Sequence, residues 1–413
     1  MRQSLTITRL GAQGDGVADI PAGPVFAPLT LPGEMIEAEV RDGRAEDIRR
    51  LTDSPERIVP ASPHYGDCGG CSLQHWAPVP YLAWKREQVR LALAREGLTT
   101  EIGDTVATAP GTRRRLALHA RRGPNGRTLL GFKARRSWRL VAVSACPVAD
   151  PRLVRAFPAL AEVATPFLEH PKSAPTLHVT WTLTGLDVDV TGVERRSGGL
   201  SRDAQMRAIE AAGRADLARL SLAGETLVMA RPPRIAFGPA TVALPPGAFL
   251  QASPEAEAAM VERAVAAVAG ARRIADLFCG VGTFTLPLAA VAPVIAADAS
   301  AEGIAALKAG AAAPGLKPVT AEARDLFRRQ LSPQDLKGVE AVVFDPPRAG
   351  ALEQTRQIAA SAASVVVGVS CNPATFARDA RVLVEAGFRL EAVTPVDQFL
   401  WSAHIELVAV FRR

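Results

Sequence analysis

Cys371 and Glu406 are the residues of this 413-residue sequence whose types best suit covalent chemistry. Cys371 lies in a Ser-Cys-Asn-Pro motif directly after an apolar run, and Glu406 follows downstream. A thiolate is a soft nucleophile suited to conjugate addition, for example to carbon 6 of a uridine. A methyl donor could then be attacked from carbon 5, and a carboxylate could remove the carbon 5 proton. A lone cysteine is more often a small buried hydrophobe, so spacing alone leaves both roles open.

A glycine loop follows the apolar run that ends at Phe278. Gly280 and Gly282 allow a tight turn and close approach of a ligand, and Thr283 comes next. Asp298 ends the following apolar run, where a carboxylate can accept both ribose hydroxyls. The pattern indicates an adenosine-type cofactor, and the missing third glycine favours S-adenosylmethionine (SAM) over a nicotinamide cofactor. A tight turn without a ligand is the plain alternative.

The motif Asp345-Pro346-Pro347-Arg348 ends a further apolar run. Its prolines stiffen the loop and free backbone carbonyls, which suits a planar base or an amino group. Asp-Pro-Pro also occurs as a plain turn.

Three cysteines, Cys68, Cys71 and Cys146, precede this region. A CxxC pair with a distant third cysteine can ligate a metal or an iron–sulfur cluster, which normally takes four thiolates. The sequence offers no evident fourth ligand, because Cys279 and Cys371 belong to the other region. Five cysteines in so long a chain make a disulfide framework improbable on counting alone.

The elements that must position these residues alternate between apolar strands and helices from about residue 250 onward. This pattern predicts an α/β fold with a parallel, doubly wound sheet, whose ligands lie at the carboxyl ends of the strands. The polar motifs all fall at such ends, so we predict that they share one site.

The earlier part of the chain has two other sequence patterns. Short strands with glycine turns over residues 1–58 predict a small β-barrel, or an ordinary β-meander. Residues 59–240 combine a helix from about residue 80 to 96 with arginine-rich strands, which predict either a basic RNA-binding face or a merely solvated one. We therefore predict three domains: 1–58, a central α+β domain at 59–240, and 241–413.

The bulk properties are consistent with a nucleic acid partner. The net charge is +6, and hydrophobic residues make up 48% of the chain, enough for sizeable cores. The first residues lack a signal-peptide core, and the longest apolar run, 286–297, is too short to span a bilayer. These features predict a cytoplasmic protein with no membrane association and no obligate protein partner.

Taken together, the motifs resemble those of the RNA 5-methyluridine methyltransferase family. The resemblance spans nearly the whole chain, and its specificity comes from the order of the motifs: Phe249-Leu250-Gln251, Asp276-Leu277-Phe278-Cys279-Gly280, Asp345-Pro346-Pro347-Arg348-Ala349-Gly350, Ser370-Cys371-Asn372-Pro373 and His404-Ile405-Glu406. It implies a Rossmann-like class I methyltransferase domain, preceded by an OB-like TRAM barrel and a central RNA-binding domain.

The resemblance also implies roles for single residues. Cys371 would be the nucleophile and Glu406 the proton acceptor. Contacts to SAM or to the target uridine would come from Gln251, Phe278, Asp298 and Asp345, and Asp325 would add a further cofactor contact by a looser match. Arginines 113–115 and the barrel would hold the surrounding RNA.

Two positions depart from the family pattern. Thr283 stands where an asparagine is usual, and its hydroxyl could cover the loss. Ser62 stands where cluster-containing members have the first of four cysteines. A serine oxygen is a poorer iron ligand than a thiolate, yet Cys68, Cys71 and Cys146 match, so a 4Fe–4S cluster is expected here with an uncertain fourth ligand.

With its barrel and cysteine-bearing central domain, the chain resembles the ribosomal RNA branch of the family more than the shorter tRNA branch, which implies 23S ribosomal RNA as the substrate. The alternatives are methylation of tRNA, a SAM-dependent amino-methyltransferase, and a non-catalytic RNA-binding protein.

Overall fold

The structure, a computed structural model, describes residues 2–194 and 199–413. Its N-terminal part consists of six strands: β1 (Arg2–Thr6), β2 (Arg9–Leu10), β3 (Gly16–Ile20), β4 (Gly23–Ala27), β5 (Met35–Arg41) and β6 (Arg44–Arg50). They form one sheet in the order β1-β5-β6-β4-β3-β2. Alternate residues such as Leu5, Val25 and Ile36 are buried against each other, which is the period-two pattern of a sheet with one face inward. The N-terminal region is therefore all-β, as predicted.

Within the described residues, the central part contains a seven-stranded sheet and four α-helices: α1 (Pro78–Arg95), β7 (Arg115–Arg122), β8 (Thr128–Lys133), β9 (Leu140–Ala142), α2 (Pro151–Arg155), α3 (Phe157–Ala164), β10 (Thr176–Thr182), β11 (Gly185–Thr191), α4 (Arg202–Arg214), β12 (Arg219–Leu222) and β13 (Glu225–Met229). A 3₁₀ helix, Thr165–Leu168, follows α3. The strand order is β13-β12-β11-β10-β7-β8-β9. Leu116 and Leu118 on β7 share a buried cluster with Leu160 of α3 and Ala208 of α4, so the helices cover one face of this sheet.

The C-terminal part begins with a hairpin and continues as alternating strands and helices: β14 (Arg234–Phe237), β15 (Ala240–Ala243), α5 (Pro254–Ala267), β16 (Ile274–Leu277), α6 (Thr285–Ala289), β17 (Val294–Asp298), α7 (Ala301–Gly310), β18 (Val319–Ala323), β19 (Ala341–Phe344), α8 (Leu352–Ala360), β20 (Val365–Ser370), α9 (Pro373–Glu385), β21 (Arg389–Val396) and β22 (Glu406–Arg412). The sheet order is β18-β17-β16-β19-β20-β22-β21. The first five strands are parallel, and β22 runs antiparallel to both of its neighbours.

Helices lie on both faces of this C-terminal sheet, which is why its central strands are apolar throughout. Helix α1 packs on the same face as α8 and α9, although its residues fall in the span predicted as the central domain. Residues 102 and 106 also bridge to Val393 and Val396 of β21. The division at 58/59 and 240/241 remains a prediction. In the described ranges, no helix is both long and apolar enough to cross a membrane.

Candidate active site

The carboxyl ends of four neighbouring strands bring the predicted site residues to one edge of the C-terminal sheet. Asp298 ends β17, Phe278 follows β16, Asp345 follows β19 and Cys371 follows β20. The chain reverses its direction of sheet growth between β16 and β19, and such a switch point is where open α/β sheets bind ligands. The sequence prediction of a shared edge is met by this strand order.

The glycine loop after β16 has backbone angles that a side chain would oppose. Gly280 has φ 54° and Gly282 has φ 102°. A Cβ atom at position 282 would lie 2.5 Å from Leu307 Cδ1, whereas one at position 280 would meet nothing within 4 Å. The Asp298 carboxylate accepts the Gly280 amide at 3.0 Å and the Ser300 amide at 2.8 Å, so it ties the loop to β17. The open space at Gly280 beside a half-buried carboxylate fits the adenosine part of SAM.

The other predicted cofactor contacts differ in their surroundings. Phe278 adopts φ 61° and its ring packs on Phe327 with centroids 5.5 Å apart. Asp325, which follows β18, is 43% exposed and accepts the Phe327 amide at 2.9 Å, so it caps its own turn beside the Phe278 ring. Thr283 lines a separate groove with Phe237.

Cys371 and Glu406 lie opposite each other at the ends of the neighbouring strands β20 and β22. The antiparallel register of β20 and β22 pairs Ser370 with Leu407, and the next position on each strand is Cys371 and Glu406. The thiol is half-buried, and its pKa is raised to about 11, first by burial and then by the charges of Glu406 and Asp345. Each of these two carboxylates therefore opposes formation of the thiolate.

Glu406 is only 4% exposed, and among the described residues its carboxylate accepts one hydrogen bond. Gln398 donates to Glu406 Oε1 at 3.2 Å. Within the described residues, Glu406 Oε2 has no hydrogen-bond partner. Burial, reinforced by the charge of Asp345, raises the pKa of Glu406 well above its usual range. A buried carboxyl with a free oxygen is suited to exchange a proton with a substrate.

A chain of amide hydrogen bonds joins the two carboxyls of the site. Gln398 Nε2 donates to Gln251 Oε1 at 2.7 Å, and Gln251 Nε2 donates to Asp345 Oδ2 at 3.0 Å. Burial raises the pKa of Asp345 to about 7, although the Gln251 hydrogen bond lowers it. The structure thus brings Gln251, Asp345 and Glu406 together and adds Gln398, which no sequence motif singles out.

Asp276 is a second group without a predicted role. It is fully buried in β16, and burial raises its pKa to about 7 even though Thr285 donates to it. Its Oδ1 atom has no hydrogen-bond partner among the residues that the structure describes. The position of this aspartate in a buried strand directly before the glycine loop is the signal that could have singled it out.

Helix α1 supports the segment that carries Gln398. Lys85 is completely buried; it donates to Asp397 and, at 2.7 Å, to the His404 carbonyl. Tyr81 donates to the same Asp397 carboxylate at 2.8 Å. These contacts fix both ends of the turn between β21 and β22, which holds Gln398 and leads into Glu406.

Two of arginines 113–115 hold protein rather than a free surface. Arg114 is buried, pairs with Glu257 and donates to the Gln251 carbonyl at 3.1 Å. Arg115 donates to the Leu250 carbonyl at 2.8 Å. The prediction that this run as a whole grips RNA is wrong for Arg114, because its guanidinium is already used to seat the segment that carries Gln251.

The three cysteines line one cavity of about 240 Å³ together with Ser62. Burial raises the pKa of all three thiols, that of Cys71 to about 11. Among residues 2–194 and 199–413, no three Cys, His, Asp or Glu side chains are arranged to hold a metal ion. Ser62 Oγ instead accepts the His64 amide at 3.2 Å. These residues do not fit a 4Fe–4S cluster, and the expectation of one is not supported.

The parallel sheet, the glycine loop after β16 and the acid that ends β17 define a class I SAM-dependent methyltransferase. The sequence model of the tRNA (uracil-5-)-methyltransferase family matches residues 202–413. The chain belongs to this family, and it is an RNA methyltransferase that acts on carbon 5 of uracil. The prediction of family, fold class and activity is thereby confirmed.

Full-length relatives agree with this assignment. An uncharacterized RNA methyltransferase of Caulobacter vibrioides is 64% identical over the whole of both chains. A 23S rRNA (uracil(1939)-C(5))-methyltransferase of Chromohalobacter salexigens is 34% identical, over 99% of this chain and 89% of the relative. The crystal structure of a Pyrococcus abyssi tRNA (uracil-54, C5)-methyltransferase with S-adenosyl-L-homocysteine has a TM-score of 0.76, covers 99% of each chain and is 23% identical, so it supports the fold.

Proposed function

We propose that this enzyme methylates a uridine of 23S ribosomal RNA, with Cys371 as the nucleophile and Glu406 as the base. The observation that carries the proposal is the facing position of Cys371 and Glu406 at the sheet edge that also holds Asp345 and the glycine loop. Support for the substrate comes from the Chromohalobacter relative, which is named for uracil 1939 of 23S rRNA. Such a substrate requires the enzyme to work in the cytoplasm, where ribosomes are assembled.

The side chains suit a covalent addition and elimination. The Cys371 thiolate forms a bond to carbon 6 of the uracil, and the electrons of the 5,6 double bond move to the carbon 4 oxygen. SAM, when bound, supplies an electrophilic methyl group to carbon 5. Glu406 then takes the proton from carbon 5, the double bond re-forms and the carbon–sulfur bond to Cys371 breaks.

The polar residues around this pair would position the reactants. Asp298 and the backbone of the glycine loop would hold the cofactor, with Phe278 beside it and Asp325 at the rim. Gln251 and Asp345 lie between the cofactor loop and Glu406, where a flipped uracil would present its polar edge. Thr283 would affect cofactor binding only through the conformation of the glycine loop, because its side chain lines a separate groove.

Incubation with labelled SAM and RNA that contains 5-fluorouridine tests the proposal. Fluorine cannot leave carbon 5 as a cation, so a covalent protein–RNA adduct should accumulate on 23S RNA. Cys371→Ala should abolish the adduct, whereas Cys279→Ala, at a buried cysteine outside the proposed chemistry, should retain it.

Three outcomes would count against the proposal. Full methylation by Cys371→Ala would exclude the thiolate mechanism. An adduct on tRNA but not on 23S RNA would overturn the substrate. RNA binding without methyl transfer to any RNA would leave a non-catalytic protein.

A further inference from the structure

The geometry points to a second RNA-contacting surface that extends the proposed function: the face of the central sheet opposite α3 and α4 guides a single-stranded flank of the substrate RNA from Phe249, beside the active site, to the exposed Trp138. We call this surface the open face and define it by the residues of β7, β8 and β10 that point away from α3 and α4: Ala117, His119, Arg121, Lys133, Thr176 and His178. The inference rests on the proposed function, because that function is the reason for taking RNA as the ligand.

The alternation of side chains on β7 separates the two faces. Leu116, Leu118 and Ala120 point into the cluster beneath the helices. The residues between them alternate to the face opposite this cluster, and Leu168, the last residue of the 3₁₀ helix Thr165–Leu168, borders that face beside His119 and Arg121. The register places Thr176 of β10 beside His119 and His178 of β10 beside Ala117, so the open face is at least two strands wide.

One end of the open face reaches the active-site segment. Arg115 lies over the Phe249 ring at 5.4 Å and Arg113 lies over the Phe399 ring at 5.6 Å. Phe249 is 65% exposed, two residues before Gln251. A depression of about 170 Å³ is lined here by both aromatic rings together with Ala117 and His178.

The other end opens into a groove of about 800 Å³ lined by His119, Arg121, Lys133 and Trp138. Because Ala117 lines the first depression and His119 the second, the two are consecutive along β7. Arg115 and Arg121 are six positions apart on β7, which corresponds to about 20 Å of strand. That length accommodates a few nucleotides of extended single-stranded RNA.

The far groove has the chemistry of a nucleotide subsite. Trp138 is 85% exposed, and the Lys133 ammonium lies 3.8 Å from its ring centroid, which leaves the opposite ring face free. Arg121 and Lys133 make no ion pair with any residue that the structure describes, and Glu169, which also lines the groove, is bonded to Ser201 at 2.7 Å. An aromatic ring beside unpaired cations on a sheet is how many proteins stack unpaired bases and hold their phosphates.

Binding of a fluorescein-labelled single-stranded RNA of about 20 nucleotides, followed by fluorescence anisotropy, tests this surface. Trp138→Ala should raise Kd by about tenfold, because stacking on the ring is lost. Trp138→Phe should retain most of the affinity. Arg121→Glu should raise Kd and reduce the salt dependence of binding, because a phosphate contact is lost.

Two matched controls lie on α4, at the opposite face of the same sheet. Met206→Ala removes another exposed apolar side chain, and Arg214→Glu reverses another exposed charge. Both should leave Kd within about twofold of the unchanged protein. Crosslinking of 4-thiouridine RNA should label the peptide that contains Trp138 in the unchanged protein.

The binding assay does not depend on turnover, so its result is separate from that of the 5-fluorouridine experiment. Failure of methylation with intact, Trp138-dependent binding would remove the proposed function and keep the open face as an RNA site. Equal Kd values for Trp138→Ala and Met206→Ala would overturn the inference and leave this face to a protein partner. In that outcome, Trp138→Ala should also leave the KM for methylation of 23S RNA unchanged.

Discussion

Gln398 donates one side-chain amide to both Gln251, at 2.7 Å, and Glu406, at 3.2 Å. Its own carbonyl accepts the Ala252 amide at 3.0 Å, so its orientation is fixed. The residue thereby joins the proposed base to the segment that faces Asp345. This relationship makes Gln398 a positioning residue for the reaction.

Substitution of Gln398 by Met should slow the step that requires Glu406. The hydrogen bond to Glu406 lowers the pKa of that carboxyl, so its loss should raise the pKa further and leave Oε1 without a donor. We expect kcat to fall by about tenfold or more, since hydrogen bonds to charged groups contribute about 1.5–3 kcal/mol. The KM for RNA should hardly change.

The adduct with 5-fluorouridine RNA should still form in Gln398→Met, because Cys371 is intact. Gln205→Met on α4 is the matched control, with unchanged kcat expected. A loss of adduct in Gln398→Met would mean that the residue supports the nucleophile or the fold instead of the base.

Glu406→Gln should lower the pKa of the Cys371 thiol. The charge of Glu406 raises that pKa, so replacing the carboxylate by a neutral amide removes an opposing charge. Burial, the largest cause, remains, and the pKa should stay above the usual value for cysteine. Alkylation by iodoacetamide against pH, read from the mass of the Cys371 peptide, measures this shift. An unchanged or higher pKa would show that the two side chains do not interact electrostatically.

The rate of methylation should rise with pH across the neutral and mildly alkaline range. The Cys371 pKa of about 11 lies above this range, so the thiolate fraction increases about tenfold for each unit of pH. The pKa of Glu406 is also raised, and its loss of a proton acts in the same direction. Measurement of kcat/KM between pH 6 and 9 checks the slope, and a fall in kcat/KM over this range would contradict both assignments.

Residues at strand ends could be predicted from the sequence, whereas residues brought together over long range could not. Phe278, Asp298, Asp345 and Cys371 each follow a recognisable apolar run, so the rule for parallel sheets places them together. No comparable sequence pattern identifies Lys85, because its contact with Asp397 joins positions that are 312 residues apart.

Burial was the other property hidden from the sequence. Arg114 belongs to a run of arginines, and such a run is expected to be exposed. It is buried because it pairs with Glu257, which lies 143 residues away in the sequence. The arrangement of Cys68, Cys71 and Cys146 depends likewise on side-chain geometry, which motif spacing does not define.

Protein purified without oxygen should contain iron and sulfide well below one cluster per chain. Ser62 Oγ accepts a backbone amide, and the described residues include no group of three or more Cys, His, Asp or Glu side chains that could hold a metal ion. Methylation should resist chelators, and Cys71→Ser should retain full activity if it folds. Stoichiometric iron and sulfide in the unchanged protein, lost in Cys71→Ser, would contradict this prediction.

Lys85→Met should destabilise the protein strongly, because it leaves the buried Asp397 without its counter-charge. Burial raises the pKa of Asp397 and the Lys85 charge opposes this shift, so loss of the lysine favours a protonated or unfolded state. Breaking one partner of a buried pair costs about 3–5 kcal/mol. Urea denaturation measures the loss, and Lys85→Met with Asp397→Leu should recover much of it.

Arg86→Ala is the control for this measurement. The ion pair of Arg86 with Asp104, at 3.1 Å, is exposed and contributes at most about 1 kcal/mol to stability. Equal effects of Lys85→Met and Arg86→Ala would show that α1 is not anchored through this ion pair.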